Sequence, residues 1–247
     1  MCRPCVSSVS APTVRITEGA VVARFVRARD TFYRHRFENL ALDVALAVGF
    51  AALTGLLAQV TLYTPFSPVP ITLQVFAALT SGVVLGYRWG TLAQAIYVSL
   101  GALVVPWFAP VAGHGAFSTG GASMGSLGGI AQLTGGLGGY ILAFPVAAFL
   151  VGYLSDRYLQ ARSPFPQIGL MMLGVGAIYA MGAAGFWLAF RLPFPTVLAE
   201  AVLLFIPVDL AKAAVAGGIG TTLVPKVPYG PERDPDRPYR RWWPVAR

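Results

Sequence analysis

Apolar residues run in six long stretches, separated by short polar gaps or by segments rich in glycine and proline. The stretches cover about residues 40–60, 71–86, 89–108, 137–154, 168–190 and 196–224. A membrane-spanning helix needs roughly 20 mainly apolar residues. The second and fourth stretches are short by that measure, so their helices are expected to reach into the flanking loops. In hydrocarbon every backbone N–H and C=O must pair internally, which selects helices over strands. The pattern predicts an all-α membrane protein with six transmembrane helices.

Composition strengthens this reading. The 247 residues are 56% hydrophobic and only 11% charged, with a mean hydropathy of +0.66. A soluble domain carries roughly 25% charged residues. This chain cannot clothe a water-facing surface with charge, which excludes bulk disorder and argues against an ordinary cytosolic enzyme. The net charge of +8 does not point to nucleic acid, because the basic residues sit in the two tails and in the gaps between apolar runs. Sixteen of the 18 Lys and Arg fall in the tails and in the gaps after the second and fourth stretches. On the opposite side lies Arg191, and Lys212 is inside the sixth stretch. Positive-inside bias then sets both termini in the cytoplasm.

Three regions follow: a basic lead over 1–39, a membrane domain over 40–225 and a basic tail over 226–247. The lead lacks the compact apolar core and small-residue cleavage site of a secretory signal. Residues 20–38 mix apolar and basic positions at loosely helical spacing. They read either as an interfacial helix on an anionic leaflet or as a disordered basic tail. Cys2 and Cys5 have C-x-x-C spacing, but no second pair exists and the nearest histidine is His35. They read as reduced thiols, not as a metal site.

Two loops on the outer side are unusual. Tyr63 to Pro70 holds three prolines in eight residues and is expected to be a stiff, extended connection. Residues 109–136 are glycine-rich, suited to close approach of backbone to a ligand or to plain flexibility. No G-K-[ST] follows, so this is not a phosphate loop.

The strongest chemical signal is in the sixth stretch, Phe205-Ile-Pro-Val-Asp-Leu-Ala-Lys-Ala213. Asp209 and Lys212 are three apart and share a helix face. One charge at mid-membrane costs about 2.5–3.5 kcal/mol on insertion scales. A pair of opposite sign offsets part of this, and such a pair normally faces a protein interior or an aqueous cavity. Pro207 is expected to kink the helix beside it. The functional reading is a polar substrate site, and the bland one is an ion pair that locks packing. Glu200 reads as an interfacial residue at the outer end. Asp43 reads as an acid favouring the dipole at the start of the first helix.

The first helix carries small residues four apart, Ala41, Ala45 and Gly49 on one line and Ala47, Ala51 and Gly55 on another. Spacing alone favours an internal packing seam over a docking face. Trp107 and Tyr140 border the glycine-rich segment, where they either mark an interface or stack on a ligand. There is no HExxH, GxSxG or Walker motif. No catalytic set, metal site or cofactor is expected, and active transport would need an ion gradient or a separate ATP-hydrolysing partner.

Four motifs occur in the order seen in one known family. Pro65-Phe-Ser-Pro-Val-Pro-Ile-Thr-Leu-Gln74 looks like its first outer loop and the start of its second helix. Leu85-Gly86, Gly101-Ala102 and Val105-Pro106 continue the pattern. Gly138-Gly-Tyr-Ile-Leu-Ala-Phe144 and Phe205 to Ala213 complete it. Over about residues 40–225 the chain resembles BioY, the biotin-binding S-component of energy-coupling-factor transporters. The resemblance implies an S-component-like bundle in the cell membrane that captures biotin. Its partners would be a transmembrane coupling subunit and two cytoplasmic ATPases. It assigns substrate contact to Asp209 and Lys212, with Tyr140, Gly139 and Trp107 beside them. Asp209 would accept from the ureido N–H groups; Lys212 would donate to biotin's oxygens or hold Asp209 ionised. The small-residue face Ala41, Ala45, Gly49, Ala47 and Ala51 would dock the coupling subunit. Two features depart from the family: a longer segment between Pro106 and Gly138, where Ser118, Ser123 or His114 would supply a polar ligand contact, and the long basic lead.

Overall fold

The computed structural model describes residues 14–64, 67–109 and 129–225. Cys2, Cys5, Pro65, Phe66, His114, Ser118, Ser123 and the C-terminal tail lie outside the described residues. Helix α1 spans Val14–Glu38 and α2 spans Leu40–Ala58. Asn39 divides them: its backbone is extended and its side chain accepts from the Leu42 N–H at 3.3 Å, the usual N-cap device.

The proline-rich connection is a two-stranded antiparallel hairpin, β1 (Thr61–Thr64) and β2 (Ser67–Thr72), with Thr61 opposite Thr72 and Leu62 opposite Ile71. Apart from this hairpin the regular elements of the described residues are helices. Pro68 and Pro70 are two apart, so the N–H groups they lack fall on one edge of β2, and a two-stranded ribbon tolerates that.

Helix α3 (Gln74–Leu103) folds back on itself at Gly86, whose φ of 77° and ψ of 171° break the helix. The Gln94 amide donates to Ser81 Oγ at 3.0 Å, and the Tyr97 hydroxyl donates to Gln74 Oε1 at 3.0 Å. In a straight helix these pairs would be about 20 and 35 Å apart. The legs 74–85 and 87–103 are therefore antiparallel neighbours. Glycine is needed at the turn twice over. The φ is left-handed, and a Cβ would come within 2.7 Å of the Asp156 carboxylate, which accepts from the Tyr87 N–H at 3.0 Å.

Then follow α4 (Ile130–Thr134), α5 (Gly138–Arg157), a 3-10 turn (Leu159–Arg162) and α6 (Pro164–Phe190). The sixth apolar stretch is not one helix: α7 (Phe194–Leu198) and a π-helical turn (Ala199–Leu203) meet α8 (Ile206–Leu223) at a 42° bend. Pro207 sits in the first turn of α8, where its missing N–H costs nothing. By length and composition α2, α5 and α6 can each cross a membrane, and the bent segment can make a fourth crossing.

Small residues set the packing. Gly82 on α3 lies against the backbone of Ala148 on α5, and Gly152 on α5 against Tyr87. The two small-residue lines of α2 part company. Ala47 and Ala51 are fully buried, with Ala47 in one cluster with Leu85 and Ala93 of α3, while Ala41, Ala45 and Gly49 face outward. Assigning Ala47 and Ala51 to a docking face is corrected: the packing of α2 on its neighbours inside the bundle already covers them.

One end of the bundle gathers α1, the start of α2, the Gly86 turn and the ends of α5 and α8. Buried Arg36 donates to Asp43 Oδ1, to the Leu85 carbonyl and, at 2.8 Å, to the Val84 carbonyl. Asp43 is thus an ion-pair partner and more than a helix-dipole residue. Fully buried Arg162 donates to the carbonyls of Ser155 and Pro225, both at 3.1 Å. The other end carries the hairpin, α4 and the π turn; Ser67 Oγ donates to the Glu200 carbonyl at 2.7 Å.

Candidate substrate-binding site

The break between the π turn and α8 shapes the site. It starts a helix in the bundle interior, so Asp209 lies in a first turn, where exposed N–H groups favour a carboxylate. Its backbone N–H donates to the Phe205 carbonyl at 2.9 Å. Lys212, one turn on, donates to Asp209 Oδ1 at 2.7 Å, and the Tyr179 hydroxyl of α6 donates to Oδ2 at 2.7 Å. Asp209 and Lys212 are both buried.

These three side chains line a cavity that is partly open to the outside. Val69 to Thr72 of β2 form one wall. Ile141, Phe144, Ile178 and Phe205 supply apolar surface, and Gln132 of α4 closes another side. Gln132 donates to the Ala109 carbonyl at 2.7 Å, while its Oε1 has no hydrogen-bond partner among the described residues. Asp209, Lys212 and Tyr179 thus form one hydrogen-bonded polar cluster in a lining that is otherwise largely apolar, with Thr72, Gln74 and Gln132 as further polar groups. Lys212 carries three donors and spends one on Asp209; Asp209 keeps lone pairs beyond the two in use. The arrangement can hold a ligand with an apolar body and a compact head that both donates and accepts.

The BioY family model matches residues 29–229. The chain belongs to the BioY family. A Methanothermobacter thermautotrophicus protein described as "Probable biotin transporter BioY" is 40% identical over 161 residues, 62% of this chain and 93% of that one. A Pyrococcus horikoshii protein of the same description is 38% identical over 71% of this chain and 92% of its own length. The solved S-component for biotin from an ECF-type ABC transporter matches with a TM-score of 0.62 and 25% identity, over 73% of this chain and 89% of that one.

Within this BioY-family fold, Asp209, Lys212 and Tyr140 meet at the cavity. Tyr140 reaches it from α5, with its hydroxyl donating to the Ala201 carbonyl of the π turn. Gly139 does not line it. It packs against Met181 and Gly185 of α6, where any side chain would collide with backbone. Trp107 also stands outside the lining; its ring packs on Tyr97 and its indole N–H donates to the Tyr97 carbonyl at 3.0 Å. Glu200 is outside it too. Sequence reasoning missed Tyr179 and Gln132. Tyr179 sits in an apolar helix without a charged neighbour in sequence, and only its distance from Asp209 reveals it. Gln132 had a signal, a lone amide in a glycine-rich segment.

Proposed function

We propose that this chain is the biotin-binding S subunit of an energy-coupling-factor transporter and captures biotin at the Asp209–Lys212–Tyr179 cluster. That cluster, in the wall of a largely apolar cavity, carries the reading. The ureido ring of biotin presents a carbonyl between two N–H groups, and the rest of its bicycle and its side chain are largely apolar. Asp209 accepts from ureido N–H, free Lys212 donors meet an oxygen of the ligand, and the apolar walls enclose the remainder. The names of the relatives and of the solved S-component support the choice of biotin.

In this reading the protein is a multi-pass component of the cell membrane with six crossings: α2, the two legs of α3, α5, α6 and the bent α7–α8 segment. The basic-residue bias puts both termini, and the end that holds Arg36, in the cytoplasm. The cavity and the hairpin then face outward. Biotin is cargo and is not chemically altered, so no enzymatic role is assigned. Energy comes from a transmembrane coupling subunit and two cytoplasmic ATPases, with the outward line Ala41, Ala45 and Gly49 on α2 as the docking face.

Calorimetry of biotin with the detergent-purified chain tests the proposal. Saturable one-to-one binding, lost in Asp209→Ala and Lys212→Ala, is the expected result. Binding that survives both substitutions moves the site elsewhere; no binding by the intact folded protein overturns the biotin reading.

A further inference from the structure

Within α1, residues 20–28 are less covered by the bundle than residues 29–36. Residues 14–28 precede the match to the BioY family, whereas the second half of the helix is tied down. Arg29 donates to the Thr222 carbonyl at 3.3 Å at the end of α8, Tyr33 to the Val84 carbonyl at 3.0 Å and Arg36 to the Leu85 carbonyl at the Gly86 turn. These contacts join one stretch of α1 to the ends of two different elements, so the helix lies across that end of the bundle. Helical spacing of three and four carries the same face back from Arg36, Tyr33 and Arg29 to Val26, Phe25 and Val22. There the cover thins: Val26 is half-buried, whereas Val22 is 61% exposed and Phe25 45%. On the other side of the helix, Arg24 and Arg27 are exposed, and residues 20–28 contain no acid.

We infer that residues 20–28 of α1 form an anchor that lies in the headgroup region of an anionic leaflet beside the bundle, with Val22 and Phe25 dipping toward the acyl chains and Arg24 and Arg27 on lipid phosphates. The face that meets protein in the second half of α1 meets lipid in the first half, because the helix is continuous while the bundle ends beneath it. Apolar side chains on one face and arginines on the other are what an interfacial helix requires, and the arginines select acidic headgroups by charge. The proposal rests on the bundle sitting in a membrane, not on which ligand fills the cavity.

Site-directed spin labelling tests it on the full chain. Cys2→Ser and Cys5→Ser remove the native thiols, and Phe25→Cys or Thr31→Cys receives a nitroxide. Each protein is reconstituted in phosphatidylcholine vesicles with and without phosphatidylglycerol. With phosphatidylglycerol present, the label at 25 is expected to be several-fold less accessible to a water-soluble nickel chelate than the label at 31, and more accessible to oxygen. Arg24→Gln with Arg27→Gln should return it toward the water-exposed signal. Equal nickel accessibility at 25 and 31 in anionic vesicles overturns the proposal. So does protection at 25 that ignores lipid charge, or that appears only once a coupling subunit is added, which would assign the face to protein.

Discussion

Among the described residues two ion pairs of similar exposure are buried, and they serve opposite ends. Arg36–Asp43 lies at the end of the bundle that carries α1, Lys212–Asp209 in the cavity. In the first pair every guanidinium nitrogen has a protein partner. The Arg36 fork meets Asp43 and the carbonyls of Val84 and Leu85. Those carbonyls have lost their helical partners because the chain turns at Gly86, and a helix end buried without partners is costly. One guanidinium therefore ties α1, α2 and the α3 turn together. The second pair is unsaturated. Among the described residues Lys212 donates to Asp209 alone, and its other donors look into the cavity. Charge, burial and pairing are alike; the number of partners the protein itself supplies is what separates a structural pair from a binding one.

The largest effect that would break this contrast is on stability. Arg36→Ala strands Asp43 and the Leu85 carbonyl in a buried site, the Val84 carbonyl keeping the Tyr33 hydroxyl, and removal of one partner of such a pair costs about 3–5 kcal/mol. Thermal unfolding in detergent should show a steep fall. Arg36→Lys should recover little of it, because an ammonium cannot span carboxylate and carbonyls as a planar fork does. Unfolding of Arg36→Ala at the wild-type temperature would remove the structural role.

Next in size is the cavity pair. Lys212→Ala should weaken biotin binding by about 2–3 kcal/mol, roughly 30- to 150-fold, the worth of a hydrogen bond to a charged group with little water competing. Its unfolding temperature should fall less than that of Arg36→Ala, because Asp209 keeps the Tyr179 hydroxyl and can draw on water in the cavity. Should Lys212→Ala unfold like Arg36→Ala while binding biotin normally, the two pairs would be the same kind of object.

Much of this contrast is legible in the sequence, and what is not has definite causes. Asp209 and Lys212 stand out because charge in an apolar run is rare. The division between residues 86 and 89 is visible as a glycine beside Arg88, and it falls at the Gly86 turn. Asp43 is misread because its partner, Arg36, lies across the Asn39 cap in what looks like a tail. The bend before α8 is signalled by Pro207, but the π turn that carries Glu200 has no local signature. Tyr179 is invisible because a tyrosine in an apolar helix is ordinarily an interfacial residue.

Tyr179→Phe sharpens the cavity side of the comparison. The hydroxyl holds Asp209 Oδ2 from α6, opposite Lys212 on α8, so it aims the carboxylate. Its loss should weaken biotin binding by about 1.4 kcal/mol, roughly tenfold, with Asp209 still paired to Lys212. Titration calorimetry reads this directly; an unchanged affinity would leave Tyr179 a wall of the cavity and nothing more.

Tyr33→Phe is the smallest and acts on the other pair. The Tyr33 hydroxyl donates to the same Val84 carbonyl as Arg36, so its loss leaves that acceptor satisfied and should cost only about 1 kcal/mol. Its ionisation gives a sharper signature. Burial pushes the Tyr33 hydroxyl from 10.0 up to about 12, against the lowering pull of Arg36. A folded-state value above the unfolded one means that the folded protein holds this proton more tightly. The stabilisation is then complete below about pH 10 and drains away as pH rises toward 12. Tyr33→Phe should flatten that alkaline limb of the unfolding curve while leaving biotin affinity at neutral pH untouched. Loss of affinity instead would mean that the Arg36 end of the bundle and the cavity are coupled, and the two pairs would have to be treated as one device.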